Sequence, residues 1–479
     1  MAPQPIHPVT VLEQCHVSPS PAPAAGQPRA LPLTFFDLVF WGLPPVQRLF
    51  FYDNAGLIDA SDFTLRELPR FKKSLAAALH HFYPLAGTLT CEMADGVAPE
   101  IVFSDGDSVP LTVAVSGDDF QDLAGDHARD TTRLHPLLPT LAAGSRSRQG
   151  VLAVQVTVFP RAGVCIGTTL HHAVADGASY AHFLKTWAAI HRLLVGGAGC
   201  NKKLAAAVAM DDDAAPPLLD RGVVRDDAGL REAFLRDHRA LAAAGDTRLD
   251  DWDLSRRPDG VVLATFRFTD RQLRALGRHV ESETSARCSP YALACGAAWA
   301  GIVHARGGGG GGGMNGGSLA ASHAHFGFVT GCKPRASPPI PAGYFGNCLG
   351  LCRVEARARG LTAAAASAAI WRVIEGLAEE GRAFRDARRW VRSVREHASA
   401  RGVTVAGSPK LRLYAAADFG GAWGRPRKVE IASVERTGAL ALAESGREGE
   451  GGIEVGLALL PAEMEAFRAF YHDLLATIR

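Results

Sequence analysis

Hydrophobic residues recur along this chain with two different periods, and the switches between them mark its elements. Leu65, Leu68, Phe71, Leu75, Ala78, Leu79 and Phe82 fall on one helical face, which predicts a helix over 63–81. Pro84 ends it, because a proline disfavours helical geometry at the residue before it. Val154, Val156 and Val158 alternate instead, predicting a strand over 151–159. It pairs through the turn 160–163 with a second apolar strand, 164–170, as a hairpin. After Gly177 the helical period returns, with Tyr180, Phe183, Leu184, Trp187, Ala188, His191 and Leu194 on one stripe. Further strands are predicted at 99–103 and 110–115. The dense apolar and aromatic runs 31–38 and 47–52 read as buried and strand-like, and 16–30 as an irregular arm.

The second half repeats this alternation without repeating the sequence. Strands are predicted at 261–268, 326–330, 411–415, 427–433 and 453–459. Thr269 or Asp270 caps a helix carrying Leu273, Leu276 and Val280, and Ser289-Pro290 opens another that is apolar nearly all round. Two amphipathic helices occupy 361–398, and a last helix begins at Pro461. The glycine run 307–313 lacks the spacing and the Lys or Ser/Thr of a phosphate cradle and reads as a surface loop.

At 479 residues the chain exceeds what one core supports. The pattern predicts an α/β protein with a domain over 1–195, a linker over 196–240 and a second domain over 241–479. The linker is rich in glycine, alanine and proline, and its Asp211-Asp212-Asp213 triplet reads as a solvated face, not a metal site. A net charge of +2 with no dense basic stripe argues against a nucleic-acid partner. No apolar window is long enough to span a membrane, and no signal pattern opens the chain. The nine scattered cysteines form no framework and complete no zinc set, which predicts reduced thiols in the cytoplasm and no bound metal.

The candidate chemistry lies where the 164–170 strand stops. His172 stands at the turn, and Asp176 follows four residues later, just before Gly177. A side chain held by a rigid strand end while its tip faces a cleft suits catalysis. An imidazole titrates near working pH and suits a general base; the competing reading is a histidine that merely bonds a nearby carbonyl.

Three segments together resemble the plant BAHD acyl-CoA-dependent acyltransferases. His172-Ala173-Val174-Ala175-Asp176-Gly177 matches that family's His-x-x-x-Asp-Gly motif. Asp418-Phe419-Gly420, resumed at Trp423-Gly424, resembles its Asp-Phe-Gly-Trp-Gly motif. Tyr344-Phe345-Gly346-Asn347-Cys348 is similar to a motif of the subgroup that acylates anthocyanin and flavonoid glycosides. Family-like sequence runs in order from about residue 31 to 460.

The resemblance implies two chloramphenicol-acetyltransferase-like domains joined by a crossover loop, with a channel between them. It implies acyl transfer from an acyl-CoA, foremost malonyl-CoA, to a hydroxyl of a phenolic or flavonoid glycoside, by a monomer with no permanently bound cofactor. His172, Asp176 and Asp418 become the catalytic-site candidates, with His172 as base and the two aspartates as architecture. Ser408, Lys410 and Trp423 become the candidates for contact with the CoA donor. Two departures stand out: Gly421-Ala422 interrupts the second motif, and Gly331-Cys332-Lys333-Pro334-Arg335 replaces Asp-Cys-Arg-x-Arg, leaving open whether Lys333 or Arg335 meets Asp176. The alternatives are a hydroxycinnamoyl or acetyl donor, an amine acceptor, or a non-catalytic CoA or phenolic-ligand binding protein.

Overall fold

The computed structural model describes residues 9–478, apart from 25, 54–58, 93–96, 143–147, 197–215, 245–259, 308–322, 422 and 448–450. The Asp211–Asp213 triplet, Gly308–Gly313 and Ala422 therefore lie outside the described residues.

The predicted hairpin forms the middle of a six-stranded sheet. Its order is Thr10–Val17, Val109–Val115, Leu152–Phe159, Gly163–Leu170, Val46–Asp53 and Lys428–Ile431. Both hairpin strands are buried at every position, because each face is covered. On one face pack the helices Leu68–His81 and Gly177–Val195. On the other lies a cluster including Phe51, Phe120, Phe159, Cys165 and Ile431.

A seven-stranded sheet forms the second lobe, in the order Leu349–Arg357, His323–Gly331, Val403–Gly407, Leu440–Glu444, Ile453–Leu459, Val262–Phe268 and Arg129–Asp130. Each half of the chain lends the other a strand. Lys428–Ile431 pairs with Val46–Asp53, and Arg129–Asp130 pairs with Val262–Phe268. At the exchange lies a buried ionic network. Lys428 donates to Asp126 at 2.8 Å and to Thr265 at 2.7 Å, and Arg129 to Glu430 at 2.6 Å. Burial works to raise the Glu430 carboxyl, but Lys428 and Arg129 outweigh it and hold it below the usual carboxylate range.

Four local readings are corrected. Phe35–Leu38 is a helical turn, not strand, because Thr34 and Asp37 form a reciprocal capping box in the apolar run. Phe63–Glu67 is a π-helical turn, and its extra residue per turn rotates Leu65 out to solvent at 76% exposure. Residues 411–415 are not a strand: Pro409–Leu411 is a 3₁₀ turn leading into the helix Leu413–Ala416, and the strand lies before it at Val403–Gly407. Thr10–Val17 and Leu440–Glu444 are strands that periodicity did not mark.

Candidate active site

The Gly163–Leu170 strand delivers His171 and His172 to a tight turn, and the helix Gly177–Val195 starts at once. The two imidazoles find different partners. His171 is buried, its Nδ1 accepting from the Ala173 N–H at 3.2 Å. His172 is half-buried and stacks on Phe40, with ring centroids 4.3 Å apart and planes at 3°. Its Nδ1 is buried and finds no hydrogen-bond partner. Burial lowers its pKa to about 4, against a small rise from its own main-chain carbonyl, and the Arg48 charge lowers it further. The imidazole is thus neutral and able to accept a proton at neutral pH.

Asp176 caps the following helix, accepting from the Ser179 N–H at 2.9 Å. Its other oxygen accepts from the Cys348 N–H at 3.1 Å. Neither Lys333 nor Arg335 comes within ion-pair distance of it: Lys333 donates to the carbonyls of Ala342 and Tyr344, and Arg335 to that of Gly331. Burial raises the Asp176 carboxyl and lowers the Lys333 ammonium, and their attraction, acting across more than a contact distance, does not offset it. Gly177 opens the helix for want of space, since a Cβ there would lie 2.8 Å from Leu411 Cδ1.

The segment Tyr344–Cys348 clamps this loop. Ser179 Oγ donates to the Gly346 carbonyl at 2.9 Å and accepts from the Gly346 N–H at 3.1 Å. Asn347 Nδ2 donates to the His172 carbonyl at 3.0 Å and to Asp37 at 3.1 Å. Asp37, fully buried, also accepts from the Asn347 N–H at 2.9 Å, and Arg221 stands 3.9 Å from its second oxygen. The same arginine donates to the Phe345 carbonyl at 2.9 Å. The clamp thus ties first-half, linker and second-half residues to the His172 loop. Sequence reasoning missed Asp37, Asn347 and Arg221 as site residues. The signal for Asp37 was a lone carboxylate in an apolar run, three residues after a threonine.

Ser408 and Lys410 belong to the turn whose Leu411 abuts Gly177, so the structure brings them beside the loop. Ser408 Oγ caps that turn, and Lys410 is exposed. Asp418 and Trp423 are not brought to His172. They sit at the other end of the Gly177–Val195 helix, where Arg192 donates to the Asp418 carbonyl and a Cβ on Gly421 would meet Val195. Asp418 braces its own turn through the Gly420 N–H at 3.0 Å and pairs with Arg425 at 3.6 Å. Trp423 is buried, stacked on Phe71 at 5.6 Å, and its N–H is spent on Glu67 at 3.2 Å. Gly420, Gly421 and Gly424 all adopt positive φ, so the extra glycine of this motif is absorbed as turn.

Among the described residues no cluster of three His, Cys, Asp or Glu side chains could hold a metal, and no helix is long and apolar enough to cross a membrane. A cavity of about 570 Å³ lies against Pro28, His80, His81, Tyr83 and Arg221, and neither His172 nor Asp176 lines it.

Comparison with known proteins places this geometry. Residues 7–196 and 262–473 match the model of the Transferase family. The chain is 33% identical to the malonyl-CoA:anthocyanidin 5-O-glucoside-6''-O-malonyltransferase of Arabidopsis thaliana, covering 97% of each protein. It is 32% identical to a coumaroyl-CoA:anthocyanidin 3-O-glucoside-6''-O-coumaroyltransferase of the same plant, covering 96% of each. The vinorine synthase crystal structure superposes with a TM-score of 0.65 at 19% identity over 96% of each chain, which shows the shared two-lobed fold. TRI101 of F. sporotrichioides, solved with coenzyme A and T-2, superposes at 0.59 over 92% of this chain and 97% of its own, at 14% identity. The chain belongs to the Transferase family, the BAHD acyl-CoA-dependent acyltransferases that its three motifs resemble.

Proposed function

We propose that this enzyme transfers a malonyl group from malonyl-CoA to a sugar hydroxyl of a phenolic or flavonoid glycoside, with His172 as general base. The supporting observation is a neutral, half-buried imidazole whose main chain is fixed by the Asn347 clamp. With the ring proton on Nδ1, Nε2 keeps its lone pair for the acceptor. The acceptor oxygen attacks the thioester carbonyl as its proton passes to Nε2. The tetrahedral adduct then collapses, the C–S bond breaks, and the imidazolium returns the proton to the leaving CoA sulfur. No acyl-enzyme forms. A positioned base contributes roughly 10²- to 10⁴-fold to the rate.

Asp176 acts by position, holding the turn that presents His172. Lys410, exposed beside that turn, and Ser408 contact the CoA, while Asp418 and Trp423 hold the far end of the same helix. The seven cysteines whose side chains are described are all free, which suits a protein working in the cytoplasm. We further read the enzyme as a monomer.

The coumaroyltransferase relative favours a second reading, an aromatic donor on the same scaffold. Thiol release from malonyl-, acetyl- and coumaroyl-CoA against a mixed phenolic glucoside extract, with mass measurement of the product, separates them. The reading expects malonyl-CoA to be preferred and the glucoside to gain the mass of one malonyl group. Preference for coumaroyl-CoA supports the second reading, and CoA binding without thiol release leaves only a binding protein.

A further inference from the structure

Arg48 lies in the strand Val46–Asp53, directly across from Thr168 in the strand that runs on to His172. Residues opposite one another in an antiparallel pair share a face. That face looks toward the helix Gly177–Val195, where the guanidinium stands 4.2 Å above the Tyr180 ring and Tyr180 shares a 2.8 Å hydrogen bond with Thr168. Arg48 is only 5% exposed. Its Nε and one terminal nitrogen are buried with no hydrogen-bond partner, and no carboxylate pairs with it. The contrast with two other deeply buried cations is plain: Arg129 meets Glu430 at 2.6 Å and Lys428 meets Asp126 at 2.8 Å. A guanidinium removed from water without a counter-charge is strongly disfavoured, so such groups are normally paired.

We propose that Arg48 receives the free carboxylate of a short dicarboxylic acyl group on CoA and so selects malonyl over neutral donors. This rests on the acyl-transfer reading above. Three features carry it. The guanidinium is a planar fork matched to a carboxylate, and two of its nitrogens are unoccupied. It stands on the face that leads to His172, whose imidazole is within reach of its charge. Thr168 and His172 are four residues apart, across the point where the strand ends at Leu170 and turns toward the helix. A carboxylate bound there would also cancel the charge that depresses the basicity of His172.

The test compares malonyl-CoA with acetyl-CoA, which lacks only the carboxylate, in wild type and Arg48→Met. The ratio of kcat/KM for malonyl-CoA over acetyl-CoA is expected to favour malonyl-CoA in wild type and to fall about 10- to 100-fold in the variant, the range of a lost charge-assisted contact. The variant is expected to melt no lower than wild type without donor, since an unpaired buried charge has been removed. It should also lose the thermal protection that malonyl-CoA gives wild type. A purely structural role for Arg48 would lower both donors equally and leave the ratio unchanged, which overturns the inference while leaving the malonyl reading intact. A wild type that shows no preference for malonyl-CoA overturns both. Should Arg48→Met not fold, Arg48→Lys decides: its point charge cannot form the fork, so a reduced ratio supports the inference and one equal to wild type overturns it.

Discussion

Two turns stand at opposite ends of the Gly177–Val195 helix, roughly 27 Å apart at 1.5 Å per residue. The His172–Asp176 loop is held by polar groups. Asn347, Cys348 and Ser179 supply hydrogen bonds, and Asp37 and Arg221 anchor them from other parts of the chain. The Asp418–Gly424 turn is held by rings. Phe419 and Trp423 pack among Phe71, Trp187, Tyr52 and His191, with Tyr52 Oη donating to the Ala417 carbonyl at 2.9 Å. Directional bonds fix where a side chain points, whereas apolar packing fixes how stable its surroundings are. The chemistry is therefore expected to fail when the first turn is altered and the fold when the second is.

The sharpest way to break this contrast is Trp423→Ala. Removing a buried indole is expected to cost about 3–5 kcal/mol in chemical denaturation while the folded fraction keeps near-normal kcat. At the other turn, Asn347→Ala is expected to lower kcat by about 10- to 100-fold, because it releases the His172 carbonyl and leaves Asp37 short of a donor. If instead the Trp423 variant loses kcat and the Asn347 variant loses only stability, the division fails. Gly177→Ala pushes a methyl against Leu411 and is expected to destabilise by about 1–3 kcal/mol in the same denaturation assay. Lys410→Ala is expected to raise the KM for acyl-CoA about two- to fivefold with kcat unchanged, as a single exposed charge contact would.

Acidification offers a check without mutation. Burial lowers His81, His172, His191 and His397 each to about 4. The unfolded chain takes up these protons near pH 6.5 and the folded chain only near 4. Stability carried by these groups is therefore complete above about pH 6.5 and declines as the pH falls toward 4. The melting temperature is expected to drop across that window, while kcat/KM keeps its neutral base until well below pH 6.

How much of this was legible depended on the range of the forces involved. The hairpin, the helix after Gly177 and the pair His172–Asp176 follow from local periodicity, and the structure contains them. The lent strands Lys428–Ile431 and Arg129–Asp130 pair with partners well over a hundred residues away, which no window of sequence reports. The same holds for Asn347 reaching Asp37 across 310 positions. Arg48 was hidden differently. The run Gln47-Arg48-Leu49-Phe50-Phe51-Tyr52 reads as buried and strand-like as a whole, and only the fold shows that no counter-charge accompanies its arginine. The family resemblance put Lys333 or Arg335 against Asp176, yet backbone N–H groups take both carboxylate oxygens instead.

The central claim is that the His172 imidazole takes the acceptor's proton. Its most direct test is the kcat of His172→Ala with malonyl-CoA and a phenolic glucoside, measured on protein whose melting temperature matches wild type. A fall of roughly 10²- to 10⁴-fold is expected. Turnover within a fewfold of wild type would contradict the assignment and return His172 to a packing role against Phe40.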